Sequence, residues 1–165
     1  MADKTRWGIV ATGSIAHQFA EGLQVLPDAE LAAVASRSKE RAEEFGRQHD
    51  VPHCYGSYHE LAESPEVDVA YIATPHPFHC ENTIMCLEGD KAVLCEKPFA
   101  LNSREARRMV DCAREQGLFC IEAMWMRFIP LITRVRSMLS EGAIGEPRML
   151  QADFGAVADS AMEAG

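Results

Sequence analysis

Apolar residues along this chain fall in short runs separated by stretches of helical period. Trp7-Gly8-Ile9-Val10-Ala11 and Leu31-Ala32-Ala33-Val34-Ala35 are near-continuous apolar runs of strand length, the pattern of strands covered on both faces. Val67–Ala73, Lys91–Cys95 and Leu118–Glu122 repeat it, and a weaker third strand falls at His53–Tyr55. Between these runs the period lengthens. From Ser14, residues Ile15, Phe19, Ala20 and Leu23 share one helical face. Ser38 is placed to cap a helix over Lys39–Gln48, and a short helix follows around Tyr58–Ala62. Pro77 suits the first turn of a helix running to about Leu87, with Gly89 beyond its end. Asn102 and Glu105 have capping-box spacing before a helix that buries Ala106, Met109, Val110 and Ala113 and closes at Gly117.

Strands alternating with helices predict right-handed crossovers and a doubly wound parallel α/β sheet of the Rossmann type over residues 1–123. The pattern then changes. Pro130–Ser140 reads as a helix with Leu131, Ile132, Val135, Met138 and Leu139 apolar, broken by Gly142 and Gly145. Arg148–Phe154 alternates like one strand of an antiparallel sheet. One strand does not make a domain. Residues 124–165 therefore read as a connecting helix and the first strand of an incomplete α+β second domain, belonging either to a fragment of a longer protein or to a natural short form.

Composition narrows the class. With 47% hydrophobic and 25% charged residues, the chain is an ordinary globular one. A net charge of −9 argues against a nucleic-acid partner, and no apolar run approaches the roughly 20 residues of a membrane span. The N-terminus runs straight into the first strand pattern, with no signal peptide expected. Cys54, Cys80, Cys86, Cys95, Cys112 and Cys120 form no C-x-x-C pair, and most lie in apolar runs. They read as reduced thiols of a cytoplasmic protein. The histidines share no ligand-like spacing with cysteines or acids, so no metal site is expected.

The first strand feeds a turn and a helix through Ala11-Thr12-Gly13-Ser14-Ile15-Ala16. In that setting G-x-G-x-x-G/A brings backbone against a pyrophosphate at a helix N-terminus. Ala11 stands at the first glycine position, Gly13 at the second, where close approach matters most, and Ala16 at the third. An ordinary glycine turn is the plainer alternative. The strand before and the helix after favour the dinucleotide reading. NAD enzymes place an acid near the end of the second strand for the ribose 2′-OH, but here that strand ends Ser36-Arg37-Ser38. Arg37 can pair with a 2′-phosphate that an acid would repel, and Lys39 and Arg41 add positive charge nearby. NADP is the cofactor expected.

The fifth strand ends in Cys95-Glu96-Lys97-Pro98. Ligands of open α/β sheets bind beyond the carboxyl ends of strands, and Pro98 favours an extended Lys97. A lysine there is suited to assist proton transfer; a surface lysine before a turn is the alternative. Four segments in register carry more weight: Ala11–Ala16, Ala73-Thr74-Pro75-His76-Pro77-Phe78-His79, Glu96-Lys97-Pro98, and Glu122-Ala123-Met124-Trp125-Met126-Arg127-Phe128. Together they resemble the glucose-fructose oxidoreductase / inositol dehydrogenase (Gfo/Idh/MocA) family. The last segment, with Gly56-Ser57-Tyr58 and Ile144-Gly145-Glu146, is most similar to its dimeric dihydrodiol dehydrogenase branch, which includes NADP-dependent D-xylose dehydrogenases.

The resemblance, over roughly residues 5 to 155, implies reversible hydride transfer between NADP and a CH–OH group of a diol or sugar, of the trans-1,2-dihydrobenzene-1,2-diol or D-xylose type. It implies a small alcohol or sugar substrate, a homodimeric full-length parent, residues 124–165 as the incomplete start of a C-terminal substrate and dimerisation domain, and a second acid/base residue outside this chain. Ala11, Thr12, Gly13, Ser14 and Ile15 would line the pyrophosphate, and Ser36 and Arg37 would meet the 2′-phosphate. Thr74, Pro75, His76 and His79 would flank the ribose and nicotinamide, although His76 stands where Asn is commoner in the family. Glu96 and Lys97 would sit at the nicotinamide, Lys97 as the catalytic residue; the Lys97–Pro98 bond is often cis in such proteins. Trp125 and Arg127 would border the nicotinamide and the substrate pocket. The structural alternatives are a helix cap for His79 and core packing for Trp125. At the level of function the alternative is an NADP-binding module or nucleotide sensor without efficient turnover.

Overall fold

The structure, a computed structural model, describes residues 4–153 and Gly155. It divides into two compact units, Met1–Ala123 and Met124–Gly165.

In the first unit, six strands alternate with five helices. The strands are β1 (Thr5–Val10), β2 (Ala29–Ala35), β3 (His53–Tyr55), β4 (Val69–Ile72), β5 (Ala92–Cys95) and β6 (Cys120–Glu122). The helices are α1 (Ser14–Leu23), α2 (Lys39–His49), α3 (Tyr58–Ala62), α4 (His79–Glu88) and α5 (Ser103–Gln116). The sheet order is β3-β2-β1-β4-β5-β6, and every pairing is parallel. This is the doubly wound α/β sheet expected. The order reverses between β1 and β4, and such a switch point opens a crevice at the strands' carboxyl ends.

Each face of the sheet carries its own core. Ile9, Val34, Phe45 and Tyr71 pack with Ala16 and Ala20 of α1 on one side. Val10, Ile72, Leu87, Val93 and Met109 pack on the other. Fully burying an aliphatic or aromatic side chain of this size contributes about 1.5–3 kcal/mol, so these residues fix which way each strand faces. At the far end of the sheet Arg6 forks onto Asp68, with Nη2–Oδ1 at 2.6 Å and Nε–Oδ2 at 3.1 Å. Asp68 N–H donates to the Arg6 carbonyl at 2.8 Å. That double lock sets the β1–β4 register, and the Arg6 guanidinium holds the Asp68 carboxyl below its usual range.

The helix ends follow their capping residues. Ser38 Oγ accepts from Arg41 N–H. Asn102 Oδ1 accepts from the N–H groups of Arg104 and Glu105 at 3.1 and 3.0 Å. The Glu105 carboxylate reaches the Leu101 N–H and the Asn102 side chain; a capping box would have turned it to the Asn102 backbone N–H. Pro77 lies in a 3₁₀ turn, His76–Phe78, and α4 starts only at His79.

The second unit contains a 3₁₀ turn at Trp125–Phe128 and α6 (Pro130–Ser140). The strand expected over Arg148–Phe154 is a correction: residues 148–153 form no strand, and Phe154 lies outside the described residues. Alternation is a side-chain pattern, whereas a strand is held by hydrogen bonds to a neighbour. Among the described residues none is paired with this segment.

Candidate functional site

The parallel strands bring the ends of β1, β2, β4 and β5 to one edge of the first unit. At the end of β1, Ala11 turns the chain with φ 88°, and its N–H donates to the Ala35 carbonyl at 2.9 Å. An L-residue pays for that conformation and glycine does not, which explains why the pattern has glycine there. Gly13 is different. Its φ of −79° and ψ of 179° suit any residue, and a Cβ there would meet nothing within 4 Å. Its missing side chain therefore leaves open space in front of α1. No side chain caps α1, so its first N–H groups and positive dipole end face that space. Ser14 is exposed, while Thr12 and Ile15 are half-buried.

At the tip of β2, Ser36 is buried and its N–H donates to the Tyr55 carbonyl at 3.1 Å. Arg37 is exposed and interacts with the hydroxyl of Tyr58 on α3, whose pKa burial raises and Arg37 partly restores. Lys39 Nζ donates to the Cys54 carbonyl, so its charge is already engaged. Arg41 lines a cleft of about 220 Å³ with Thr12, His17, Glu44, Phe45 and Gln48. On the wall of that cleft His17 Nδ1 and His49 Nε2 meet at 2.7 Å. Burial, then the neighbouring His17, lowers the His49 pKa.

The loops after β4 and β5 form one hydrogen-bonded assembly. His79 is fully buried, and its two ring nitrogens lie 2.8 Å from the carbonyls of Thr74 and Pro98. A neutral imidazole donates from one nitrogen only, so the neutral ring serves at most one of them. His79 thus lies beneath both loops, with a ring nitrogen facing a carbonyl of each. It heads α4 through its backbone, and it does not act as a side-chain cap. Asn82 Nδ2 donates to Thr74 Oγ1 at 3.1 Å, and Glu122 Oε1 accepts from Phe99 N–H at 2.8 Å. Glu96 is buried: Oε1 accepts from the Tyr71 hydroxyl at 2.6 Å, and Oε2 from Lys97 N–H at 3.1 Å. Burial and the Glu96 carboxylate push the Tyr71 hydroxyl well above a phenol's ordinary pKa, keeping it a donor. The Lys97–Pro98 bond is cis. Lys97, Pro75 and His76 are exposed on this rim.

The first unit thus brings Ala11–Ile15, Ser36, Arg37, Thr74–His76, Glu96 and Lys97 to one edge, with His79 buried under it. Trp125 and Arg127 belong to the second unit, exposed on its 3₁₀ turn. Tyr71, Asn82 and Glu122 were not singled out as site residues. Each meets its partner across 8 to 25 positions of chain. A buried Tyr inside an otherwise aliphatic strand was the one available signal, since a buried hydroxyl needs a partner.

A doubly wound parallel sheet, with the Ala11–Ile15 turn at the β1/β4 switch point and the charged Glu96–Lys97 pair following the neighbouring β5, has the architecture of a dinucleotide-binding domain. The chain belongs to the Gfo/Idh/MocA family, the oxidoreductase family with an NAD-binding Rossmann fold, whose profile matches residues 5–124. Over 152 residues it is 49% identical to the trans-1,2-dihydrobenzene-1,2-diol dehydrogenase of Bos taurus, covering 91% of this chain and 45% of that protein. The Homo sapiens enzyme of the same name is also 49% identical, with 91% and 46% covered. The chain spans less than half the length of these curated relatives. Among solved structures, an NAD binding oxidoreductase from Klebsiella pneumoniae superposes with a TM-score of 0.82 at 27% identity, over 87% of this chain and 40% of that one. A 3-ketoreductase from Actinomadura kijaniata, in complex with TDP-benzene and NADP, gives 0.80 at 32%, over 87% and 46%.

Proposed function

We propose that this chain is the cofactor-binding part of a cytoplasmic, homodimeric NADP-dependent dehydrogenase acting on the CH–OH group of a diol or sugar. The observation that carries the reading is the pairing, on one edge, of an open uncapped helix start at Gly13 with an exposed Lys97 whose backbone Glu96 holds. The loop fits a dinucleotide: a Cβ at Gly13 would fill the space a pyrophosphate needs. Ala11, Thr12, Gly13, Ser14 and Ile15 would hold that group, and Ser36 and Arg37 the ribose phosphate. Thr74, Pro75 and His76 would border the ribose and nicotinamide, and His79 would act by fixing their loop. Trp125 and Arg127 would border the nicotinamide and substrate. The substrate class is supported by relatives named trans-1,2-dihydrobenzene-1,2-diol dehydrogenase.

A nicotinamide cofactor, when bound, supplies the hydride acceptor or donor. The chain's own task is to hold it and to manage the alcohol proton, which Lys97 Nζ takes or returns. NADP over NAD rests on Arg37, exposed at an acid-free strand tip, and is supported by the 3-ketoreductase solved with NADP. Thermal shift tests it: NADP raises the melting temperature well above the effect of equimolar NAD, and Arg37→Ala removes the difference. Equal shifts in the unaltered chain would refute the assignment. In the full-length parent, Lys97→Met removes turnover and leaves NADP binding within a few-fold; surviving turnover takes Lys97 out of the mechanism.

A further inference from the structure

Tyr71 sits in β4 with 2% of its surface exposed, one strand away from the loop that carries Lys97. Its ring is clamped. Phe19 of α1 stacks on it with centroids 3.7 Å apart and planes at 14°, and Trp7 meets Phe19 edge-on at 5.3 Å. The β4–β5 register pairs Tyr71 with Leu94, so Glu96, two residues on, lies on the same face. There the Tyr71 hydroxyl reaches Glu96 Oε1 at 2.6 Å, while Oε2 takes the Lys97 N–H at 3.1 Å. Glu96 is 9% exposed, and these are its side chain's two hydrogen bonds among the described residues.

A buried carboxylate keeps one orientation only while donors hold both oxygens. One of the two donors here is the backbone of the residue it positions. The other is a phenol, rigid and locked by the helix that opens at the phosphate loop. We propose that Tyr71 is a positioning residue. Its hydroxyl orients Glu96, Glu96 fixes the Lys97 backbone, and the stacked rings of Tyr71 and Phe19 couple the strand end to α1. The proposal rests on the reading above that Lys97 and Glu96 work at the nicotinamide end of NADP. A buried tyrosine that merely fills the core would leave ligand discrimination unchanged when its hydroxyl is removed.

Tyr71→Phe removes one oxygen and keeps the ring. The full chain and this variant are titrated calorimetrically with NADP and with adenosine 2′,5′-bisphosphate, which has the adenine end and lacks the nicotinamide. NADP affinity is expected to fall about 5- to 20-fold, because Glu96 and Lys97 must then be ordered at the ligand's expense, at up to the strength of the one charge-assisted hydrogen bond that held them, while bisphosphate affinity stays within twofold. In a Glu96→Gln background the same change should cost NADP little more, because both variants break one chain of contacts. Parallel losses for both ligands, full additivity with Glu96→Gln, or an unchanged NADP affinity would each overturn the proposal. So would a parent chain that binds the bisphosphate as tightly as NADP. A parent chain that binds neither ligand removes the functional reading itself, and this inference with it; an unaffected Tyr71→Phe variant removes the inference alone.

Discussion

Two neighbouring loop residues make opposite demands on a side chain. Ala11 turns at φ 88°, a region costing a residue with a Cβ roughly 1 kcal/mol. Gly13 has an ordinary backbone and open space where its Cβ would be. Ala11→Gly should therefore stabilise the fold by up to about 1 kcal/mol, part of it offset by a more flexible unfolded chain. Ala11→Val, β-branched at positive φ, should destabilise it. Gly13→Val should cost the fold no more than about 1 kcal/mol, the difference between N-cap residues, while lowering dinucleotide affinity at least tenfold. Urea denaturation and NADP titration separate the two. If Gly13→Val unfolds the protein, the glycine serves the fold and the phosphate-cradle reading fails.

At the scale of elements, caps and close approaches do the positioning. Asn102 satisfies two N–H groups at the start of α5, so Asn102→Ala should cost about 1 kcal/mol. Gly89 ends α4 where a Cβ would run into the Ala62 carbonyl. Backbone cannot move aside as a side chain does, so Gly89→Ala should cost more than Asn102→Ala; the reverse order in urea midpoints would contradict the contact. The strands were legible because both faces of the sheet are apolar, and β3 and α3 came out at the bounds the pattern indicates. The helix expected from Pro77 was displaced, since a 3₁₀ turn precedes it and His79 is needed beneath Thr74 and Pro98. The Ala11–Ala16 turn between β1 and α1 and the Glu96–Lys97 pair after β5 were legible as local sequence patterns. The ties that hold them, Tyr71–Glu96, Asn82–Thr74 and Glu122–Phe99, were not, because a side-chain hydrogen bond between separate segments leaves no period in the sequence.

The first unit as a whole encloses weak acids that ionise only at high pH. All six cysteines are free thiols. Burial pushes Cys86 and Cys95 from the ordinary 9.0 up to about 12, and Cys120 up to about 11. Tyr71 is shifted the same way by burial and Glu96. Above pH 9.0 an unfolded chain releases these thiol protons while the native one keeps them, so the native state binds more protons and the unfolding free energy falls as pH rises. The contribution is complete below pH 9.0 and is lost progressively toward pH 12. Cys95 also ties this titration to the site, because its Sγ lies 3.7 Å from the carbonyl of Phe99, just beyond Pro98. The urea midpoint should therefore be lower at pH 10.5 than at pH 8, by an amount on the order of a few kcal/mol in stability. Cys86→Ala should flatten that slope, since it removes one titrating group at small cost in volume. At pH 8 a thiol reagent should leave Cys86 and Cys95 unmodified in the native protein and reach all six on unfolding. A midpoint that holds from pH 8 to 10.5, or rapid modification of every thiol in the native state, would mean that this core does not shield its thiols as the structure describes.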